Sequence, residues 1–341
     1  MSDKFERAPL LPASGARAPQ VCVAGNLTID IILRSVSALP EWGQEVVGSN
    51  RSEVVAGQAG YLAFCASRLG LATSVVCPVG DDPSGERMRS ELRQSGVDDP
   101  EVETISGAAS PLTLAVVRPD GERAFISDFG CLDRFDVEFL TRHLPATRGL
   151  DAVALVGTLN LPRFDHAGAV ELLARARRSG ALTLLDTGWD PGGWQPSTVA
   201  AVRALLAEVD LFIPNLDEAA ALTGTAQPLE ALRDLGAACA GTVVIKGGAE
   251  GSWALDSDGQ LLHVPAQPVR VDNAVGAGDT YNAGFLAGYL PGRELPRAMA
   301  YATATAALYV SRHEERFPTL REVEAHLPSA HRDPSPAPTA G

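Results

Sequence analysis

The sequence lacks paired cysteines, long apolar runs and an excess of basic residues. Its 341 residues include five cysteines, none spaced Cys-x-x-Cys, which is typical of reduced thiols in the cytoplasm rather than of a disulfide framework or a zinc site. No run reaches the roughly 18 apolar residues of a membrane span. The formal net charge of −14 disfavours nucleic acid and anionic membranes as partners. We therefore expect a cytoplasmic protein that acts on small molecules.

Composition separates two terminal segments from the rest of the chain. Residues 1–19 lack the charged-then-apolar layout of a signal peptide and are predicted to be a flexible tail. Residues 327–341, rich in Pro, Ala and Ser, are predicted to be a second flexible tail. The interval 20–326 is predicted to be one folded domain.

Short apolar runs alternate with amphipathic segments through most of this interval. The segment 21–33 (VCVAGNLTIDIIL) is predicted to be one strand, 60–70 a helix, 72–80 a strand and 81–96 a helix. The pattern recurs further along the chain and predicts an α/β fold, with a mostly parallel sheet between two layers of helices. The first strand is not followed by the Gly-x-Gly-x-x-Gly turn of dinucleotide-dependent dehydrogenases, which disfavours that class.

Two regions interrupt the alternation. Residues 44–56 and 111–128 are predicted to be strands without intervening helices, and the second region contains the hairpin signal RPDGER. We predict that they form a small antiparallel sheet that projects from the main domain as a lid.

Polar residues follow several predicted strands, at the edge of the sheet where α/β proteins bind ligands. Asn26 and Asp30 lie near the first predicted strand, and Asp186, Asn215, Glu218 and Lys246 come after later ones. Acids and amides at such places are often only helix N-caps, and Asn215 suits the start of the helix that follows it. Their occurrence at several strand ends favours a binding site.

The segment VGAGDTYNAGFLAG carries the strongest chemical signal. Gly276, Ala277 and Gly278 precede Asp279 at the predicted start of a helix, where unpaired backbone N–H groups attract anions and glycine permits a close approach. An anion-binding turn beside a carboxylate base is what phosphoryl transfer to an alcohol requires. The alternative is a glycine-rich cap on a closely packed helix.

This segment resembles the C-terminal signature of the ribokinase family, also called the PfkB family, of sugar and nucleoside kinases. Other stretches resemble motifs of that family in the same order, namely GNLTIDIILRSVSALPEWG, AGQAGYLAFCASRLG, CPVGDDPSGERMRSELRQSGVD, NLDE and KGGAEGS. The resemblance implies a ribokinase-like three-layer αβα sandwich with a small β lid. It also implies ATP as the phosphate donor and Mg²⁺ as its metal ion.

The resemblance implies roles for individual residues. Asp279 would be the catalytic base, and the backbone of Gly276, Ala277 and Gly278 would form the anion hole. The nucleotide and its phosphates would contact Asn215, Lys246, Gly248, Gly251 and Thr303, and Glu218 would hold the magnesium ion through water. The acceptor would contact Asn26, Thr28, Asp30, Gly57, Gln58 and Tyr61. Asp279 is expected to be ionised at neutral pH, given its usual pKa and its place at a helix N-terminus.

The sequence departs from the family pattern at four places, of which one, Thr303 where some relatives carry Asn, says little about function. Tyr61 replaces an Asn that helps to hold a sugar hydroxyl, which indicates either a changed acceptor pocket or a packing role. Asn273 and Val275 replace an Asp and a Thr at a monovalent cation site, which argues against activation by potassium. Gly188 and Asp190 replace an Asn and an Arg, and the loss of an Arg with the gain of an acid argues against an anionic acceptor.

The leading hypothesis is ATP-dependent phosphorylation of a hydroxymethyl group on a neutral sugar or sugar-like acceptor. A nucleoside kinase is the alternative, with Tyr61 and Phe129 as stacking surfaces. A non-catalytic sugar-binding protein on the same fold is a third hypothesis. Open strand edges in the predicted lid would allow a homodimer through the lid.

Overall fold

The predicted α/β fold and a small second sheet are both present in the structure, a computed structural model that describes residues 17–144, 149–256, 258–272, 274–312 and 317–327. The predicted tails lie outside these residues except for 17–19 and Leu327. Arg17 forms an ion pair with Asp151 (Nη1–Oδ2 2.8 Å), so this end of the first predicted tail is held against the folded domain.

In the described part of the chain, nine strands form the main sheet and four form the second sheet. The strands are β1 (Gln20–Gly25), β2 (Thr28–Arg34), β3 (Ser49–Ala56), β4 (Ala72–Gly80), β5 (Val102–Ile105), β6 (Leu112–Val117), β7 (Arg123–Asp128), β8 (Ala152–Val156), β9 (Leu182–Asp186), β10 (Leu211–Phe212), β11 (Thr242–Lys246), β12 (Ser252–Leu255) and β13 (Leu261–Val264). The helices are α1 (Gln58–Arg68), α2 (Pro83–Gln94), α3 (Val137–His143), α4 (His166–Arg178), α5 (Pro196–Leu205), α6 (Leu216–Thr223), α7 (Pro228–Ala238), α8 (Ala277–Tyr289), α9 (Leu295–Val310) and α10 (Leu320–His326).

The main sheet has the order β13-β12-β11-β10-β9-β8-β1-β4-β5. Its pairs are parallel except for β11–β12 and β12–β13 at one edge. Helices cover both faces because consecutive residues of the central strands are apolar. In β1, Val21 and Val23 join the core shared with α1, α8 and α9, whereas Cys22 and Ala24 join the core shared with α4 and α5. The result is a three-layer αβα arrangement with strand carboxyl ends gathered along one edge.

The second sheet, ordered β3-β2-β6-β7, corrects the predicted lid. The segment 21–33 is two strands rather than one, because the chain leaves the main sheet after Gly25 and continues as β2 of the lid. The strand predicted at 44–56 begins at Ser49, and the region 111–128 contains both β6 and β7. Since β2 and β6 pair in parallel, the lid is a mixed sheet and not an antiparallel one.

The longest described helix is α9, with 16 residues. Within the described residues, no helix is both long and apolar enough to cross a membrane. All five cysteines are free, and four of them are buried. Burial raises the pKa of the Cys22 thiol to about 12, so this thiol stays protonated and unreactive.

Candidate active site

The turn before α8 places glycine where a side chain would not fit. Gly276 is the N-cap of α8 and has a left-handed backbone (φ 78°), and a Cβ atom there would come 2.7 Å from the Tyr61 ring. A Cβ atom on Gly278 would lie 3.3 Å from Lys246 Nζ. The first N–H groups of a helix lack helical acceptors and carry partial positive charge. This turn therefore presents backbone donors and a lysine ammonium close together.

A buried polar network lies beside this turn. Asp279, the third residue of α8, is buried. Lys246, the last residue of β11, donates to Asp186 Oδ2 at 2.6 Å, and Asp186 is the last residue of β9. Asn282, one turn after Asp279, donates to the same Asp186 oxygen at 2.6 Å and accepts from Lys246 at 3.4 Å. The ends of two strands and the first turns of α8 therefore meet at Lys246.

Burial is the main influence on protonation in this network. Burial and then Asp186 raise the pKa of Asp279 well above its usual range, and Lys246 offsets them only in part. Desolvation thus works against the expected ionisation of Asp279 and outweighs the helix N-terminus, so the carboxyl keeps its proton to a higher pH than an ordinary aspartate does. Burial and Asp186 likewise raise the pKa of Glu218 to about 7. Burial alone would lower the pKa of Lys246, but Asp186, Glu218 and Asp279 together raise it, so its ammonium form persists.

Asn215 and Glu218 hold the start of α6 through a reciprocal capping box. Asn215 Oδ1 accepts from the Glu218 N–H at 2.8 Å, and Glu218 Oε2 accepts from the Asn215 N–H at 2.9 Å. Asn215 is thus the N-cap of α6, which confirms the structural interpretation of this residue given by the sequence. Glu218 is buried close enough to Lys246 to feel its charge. Among the described residues, no cluster of three or more His, Cys, Asp or Glu side chains is arranged to hold a metal ion.

The other residues assigned to the nucleotide lie after β11 and on α9. Gly248 and Gly251 have positive φ angles (58° and 96°) in the turn between β11 and β12. A Cβ atom on Gly251 would overlap the Val264 backbone, whereas the space beside Gly248 is open. Thr303 is buried on α9, and its hydroxyl has no hydrogen-bond partner in the described part of the chain. The turn and α9 thus offer an open backbone and an unsatisfied polar group.

Residues that follow β1, β8 and β9 meet around Gln58, the first residue of α1. The Gln58 N–H donates to Asn26 Oδ1 at 3.2 Å, and Asn160 Nδ2 donates to Gln58 Oε1 at 3.2 Å. Gly57 has a φ of 84°, and a side chain there would overlap the Asn26 backbone. A Cβ atom on Gly188 would come 2.7 Å from Gln58 Oε1. Two glycines therefore permit three amide side chains to gather at the strand ends.

Asp30 brings a carboxylate from the lid strand β2. Its Oδ1 accepts from the Thr28 hydroxyl at 2.6 Å, and both side chains are buried. Burial raises the pKa of Asp30 to about 6, although the bond from Thr28 lowers it. Above that pH the carboxylate is an acceptor-only group suited to hydroxyl ligands.

Tyr61 does not lie with these acceptor-side residues. Its side chain is 3% exposed, and its ring occupies the space beside Gly276. The ring makes edge-to-face contacts with Tyr309 and Phe317, with ring centroids 6.3 Å apart in both pairs. In this arrangement Tyr61 cannot stack on a sugar or a base, so we reassign it from acceptor contact to packing.

The loop after β9 uses Asp190 to close a turn. The Asp190 carboxylate accepts from the N–H groups of Gly192 and Trp194, both at 2.7 Å. Trp194 has a φ of 56°, and its ring packs edge-to-face against the half-exposed Trp189. The acid gained at position 190 therefore has a structural role in closing this turn.

Sequence reasoning missed two residues of this region. Asn282 follows Asp279 by three positions, so the helical period could have placed both on one face. Asn160 follows β8 as Asn26 follows β1, and the strand-end rule could have found it. Asp186 was noted at a strand end but given no role. Asn273, expected to weaken a cation site, lies outside the described residues.

A mostly parallel sheet between helix layers, an anion-binding turn and a buried carboxylate beside a lysine define a class of α/β enzymes that phosphorylate alcohols. The chain belongs to the pfkB family of carbohydrate kinases, whose model matches residues 18–321. It is thus a sugar kinase that uses ATP.

Individual proteins agree with this assignment. The 5-dehydro-2-deoxygluconokinase of Bacillus subtilis (strain 168) is 28% identical over 295 residues, which cover 80% of this chain and 86% of that protein. The fructoselysine 6-kinase of Shigella flexneri is 29% identical over 270 residues, 75% of this chain and 90% of that protein. A putative Ribokinase II from E. coli, solved with ATP and Mg²⁺, matches with a TM-score of 0.75 at 20% identity, covering 90% of this chain and 98% of that one. This last likeness shows the fold alone.

Proposed function

We propose that this kinase transfers the terminal phosphoryl group of ATP to a hydroxymethyl group of a neutral sugar or sugar-like acceptor. The observation that carries the proposal is the first turn of α8. There the buried Asp279 lies directly after the Gly276–Gly278 backbone, and Lys246 Nζ lies beside Gly278. A base, an anion-binding backbone and a cation are thus combined in one turn.

In the proposed reaction, Asp279 accepts the proton of the acceptor hydroxyl while that oxygen attacks the terminal phosphorus of ATP, and ADP leaves. The raised pKa of Asp279 makes its carboxylate a stronger base than an exposed aspartate, provided that the carboxyl has first lost its own proton. The N–H groups of the Gly276–Gly278 turn stabilise the charge on the transferred group, and the Lys246 ammonium adds to this stabilisation.

The proposed nucleotide site extends from Lys246 to α9. The open space beside Gly248 leaves room for the nucleotide over the turn between β11 and β12. The buried hydroxyl of Thr303 lacks a partner among the described residues, and an unsatisfied buried polar group costs about 1–3 kcal/mol. A bound adenine would supply the missing partner. Asn215 pairs with the Lys246 backbone through an isolated bridge, which places it at the same edge of the sheet.

Magnesium fits this site as a partner of the donor phosphates rather than as an ion in a protein cage. Mg²⁺ is commonly held by one or two carboxylates together with substrate phosphates, and it keeps several waters. Glu218 offers one such carboxylate. The capping box uses its Oε2 atom, so its Oε1 atom is the one that would face the ion. When bound, the ion would neutralise phosphate charge. A cation nearby would also favour the ionised form of Glu218, whose pKa burial raises to about 7.

The acceptor-side residues favour a neutral acceptor. Asn26, Gln58 and Asn160 are amides and Asp30 is a carboxylate, groups that bind hydroxyls and do not attract a carboxylate or a phosphate. The two relatives carry the names of different acceptors, so 28–29% identity does not choose between them. The nucleoside alternative loses Tyr61 as a stacking candidate, because that ring is buried beside Gly276, and keeps only Phe129, which is partly buried against the core.

We further propose a homodimer formed through the lid. The edge strand β7 is exposed over most of its length, and Phe125 and Ile126 on it are 50% and 60% exposed. An open strand edge with apolar side chains is suited to pairing with a second copy. Light scattering tests this directly. A dimer mass that becomes a monomer mass in Ile126→Lys would support the proposal, and a monomeric wild type would refute it.

A screen of ADP release over neutral sugars, sugar acids and nucleosides tests the proposed reaction. We expect a neutral sugar to give the highest kcat/KM, by at least about tenfold. A sugar acid or a nucleoside in first place would refute the acceptor class. Sugar binding without ADP release from any acceptor would support the non-catalytic hypothesis instead.

A further inference from the structure

The backbone that enters the anion-binding turn lies against the Tyr61 ring and accepts a hydrogen bond from Tyr309. These two rings pack with that of Phe317, and we call the three rings the aromatic clamp. We propose that the aromatic clamp fixes the anion hole in the geometry required for phosphoryl transfer, and that Tyr61 and Tyr309 are positioning residues. The proposal rests on the proposed role of the Gly276–Gly278 backbone.

Two hydrogen bonds tie the chain just before Gly276 to the end of α9. The buried Tyr309 hydroxyl donates to the Val275 carbonyl at 2.9 Å, and the Asp272 N–H donates to the Val310 carbonyl at 2.7 Å. Val275 itself is buried. The chain before Gly276 is therefore attached to the end of α9 at two points, Asp272 and Val275.

The Tyr61 ring supports the next residue. Three of its carbon atoms would lie 2.7–2.9 Å from a Cβ atom on Gly276, so the ring fills the volume that a side chain would take. Tyr61 contacts Tyr309 and Phe317 edge-to-face, and the rings of Tyr309 and Phe317 stack with centroids 5.4 Å apart and planes at 14°. The three rings thus form one packed unit between α1, α9 and the turn.

The glycine of the turn explains why such support matters. Gly276 needs its φ of 78° to start α8, and glycine also has access to many other conformations. Donors in an anion hole stabilise charge only when they are already aimed at it, within about 0.5 Å. A rigid ring against Gly276 and a hydrogen bond to Val275 restrict the turn to one conformation. The aromatic clamp therefore acts through the anion hole and does not touch the reacting atoms.

Tyr309→Phe is the sharpest test, because it removes one hydroxyl and keeps the ring stack. We expect kcat to fall about tenfold, as for the loss of one oriented hydrogen bond, with the KM values for ATP and acceptor within about twofold of wild type. Tyr61→Leu should lower kcat at least as much. Tyr61→Phe, which keeps the ring beside Gly276, should recover most of that loss.

Phe64→Leu is the matched control. Phe64 lies on α1 three residues after Tyr61 and packs against Phe317 (ring centroids 6.1 Å), but it is not among the atoms that face Gly276. We expect it to lower Tm as Tyr61→Leu does while leaving kcat within about twofold of wild type. A wild-type kcat in Tyr309→Phe, or an equal loss of kcat in Phe64→Leu, would overturn the proposal.

Asp279→Asn, assayed in parallel, separates this proposal from the proposed function. If Asp279→Asn is inactive while Tyr309→Phe turns over normally, the reaction assignment stands and the aromatic clamp has no positioning role. If Asp279→Asn remains active, the proposed function itself fails.

Discussion

Replacing Asp30 with Asn is expected to stabilise the protein at alkaline pH while weakening acceptor binding. The Asp30 side chain is 5% exposed, and burial raises its pKa from 3.8 to about 6. The folded chain therefore holds this proton more tightly than the unfolded chain does. The stability associated with the neutral carboxyl is fully present below pH 3.8 and is lost as the pH rises through about 6.

The size of the effect follows from the two pKa values. Ionising Asp30 in the folded chain lowers the free energy of unfolding by roughly 3 kcal/mol at pH 8 and by roughly 1.5 kcal/mol at pH 5. Asn cannot ionise, and its Oδ1 atom can still accept from Thr28 as the carboxylate does. Asp30→Asn should therefore be more stable than wild type, and the difference should widen by about 1.5 kcal/mol between pH 5 and pH 8.

Urea unfolding at the two pH values measures this difference, with Glu45→Gln in an exposed loop as the control. The control shows what removing an exposed carboxylate does to the stability at each pH. In the kinase assay at pH 8, Asp30→Asn should raise the acceptor KM about tenfold or more and leave the KM for ATP unchanged. A stability difference that stays constant or narrows from pH 5 to pH 8 would refute the reasoning.

Three further predictions concern the turn before α8. Gly276→Ala would place a Cβ atom 2.7 Å from the Tyr61 ring at a φ of 78°. It should lower kcat at least about 100-fold and lower Tm, and a wild-type kcat would argue against the anion hole. The kcat/KM should fall as the pH drops through the raised pKa of Asp279, since the base must be ionised. A kcat/KM that does not fall on acidification would contradict this. Replacing K⁺ by Na⁺ in the assay should change the rate less than about twofold, because the Val275 carbonyl oxygen already accepts a hydrogen bond from Tyr309. Strong activation by K⁺ would contradict the loss of the cation site.

Local patterns were sufficient for most of the fold. The strand predicted at 72–80 has the bounds of β4, because a β-branched run between turn residues specifies a strand without help from the rest of the chain. The break inside 21–33 could not be predicted, since the run TIDIIL continues the same pattern. Only pairing with Val54 and Thr113 in space assigns Asp30 and its strand to the lid.

The residues of the candidate site also fall into a group that the local sequence reveals and a group that only the folded structure brings together. The turn from Gly276 to Asp279 is visible in the sequence because its chemistry is local. The bonds that join Asp186, Lys246 and Asn282 span 36 to 96 positions, so no local pattern reveals them. The pKa of Asp279 depends on its burial, which the sequence does not give. The side of α1 that Tyr61 occupies is likewise decided by packing against α9.

Phosphoryl transfer by Asp279→Asn, measured together with ATP affinity, is the most direct test of the central claim that Asp279 is the base. We predict a loss of about 10²–10⁴ in kcat, because Asn cannot accept the proton of the acceptor hydroxyl. The Kd for ATP should stay within about threefold of wild type, since the substitution keeps the shape of the side chain. A variant that binds ATP normally and turns over near the wild-type rate would contradict the claim.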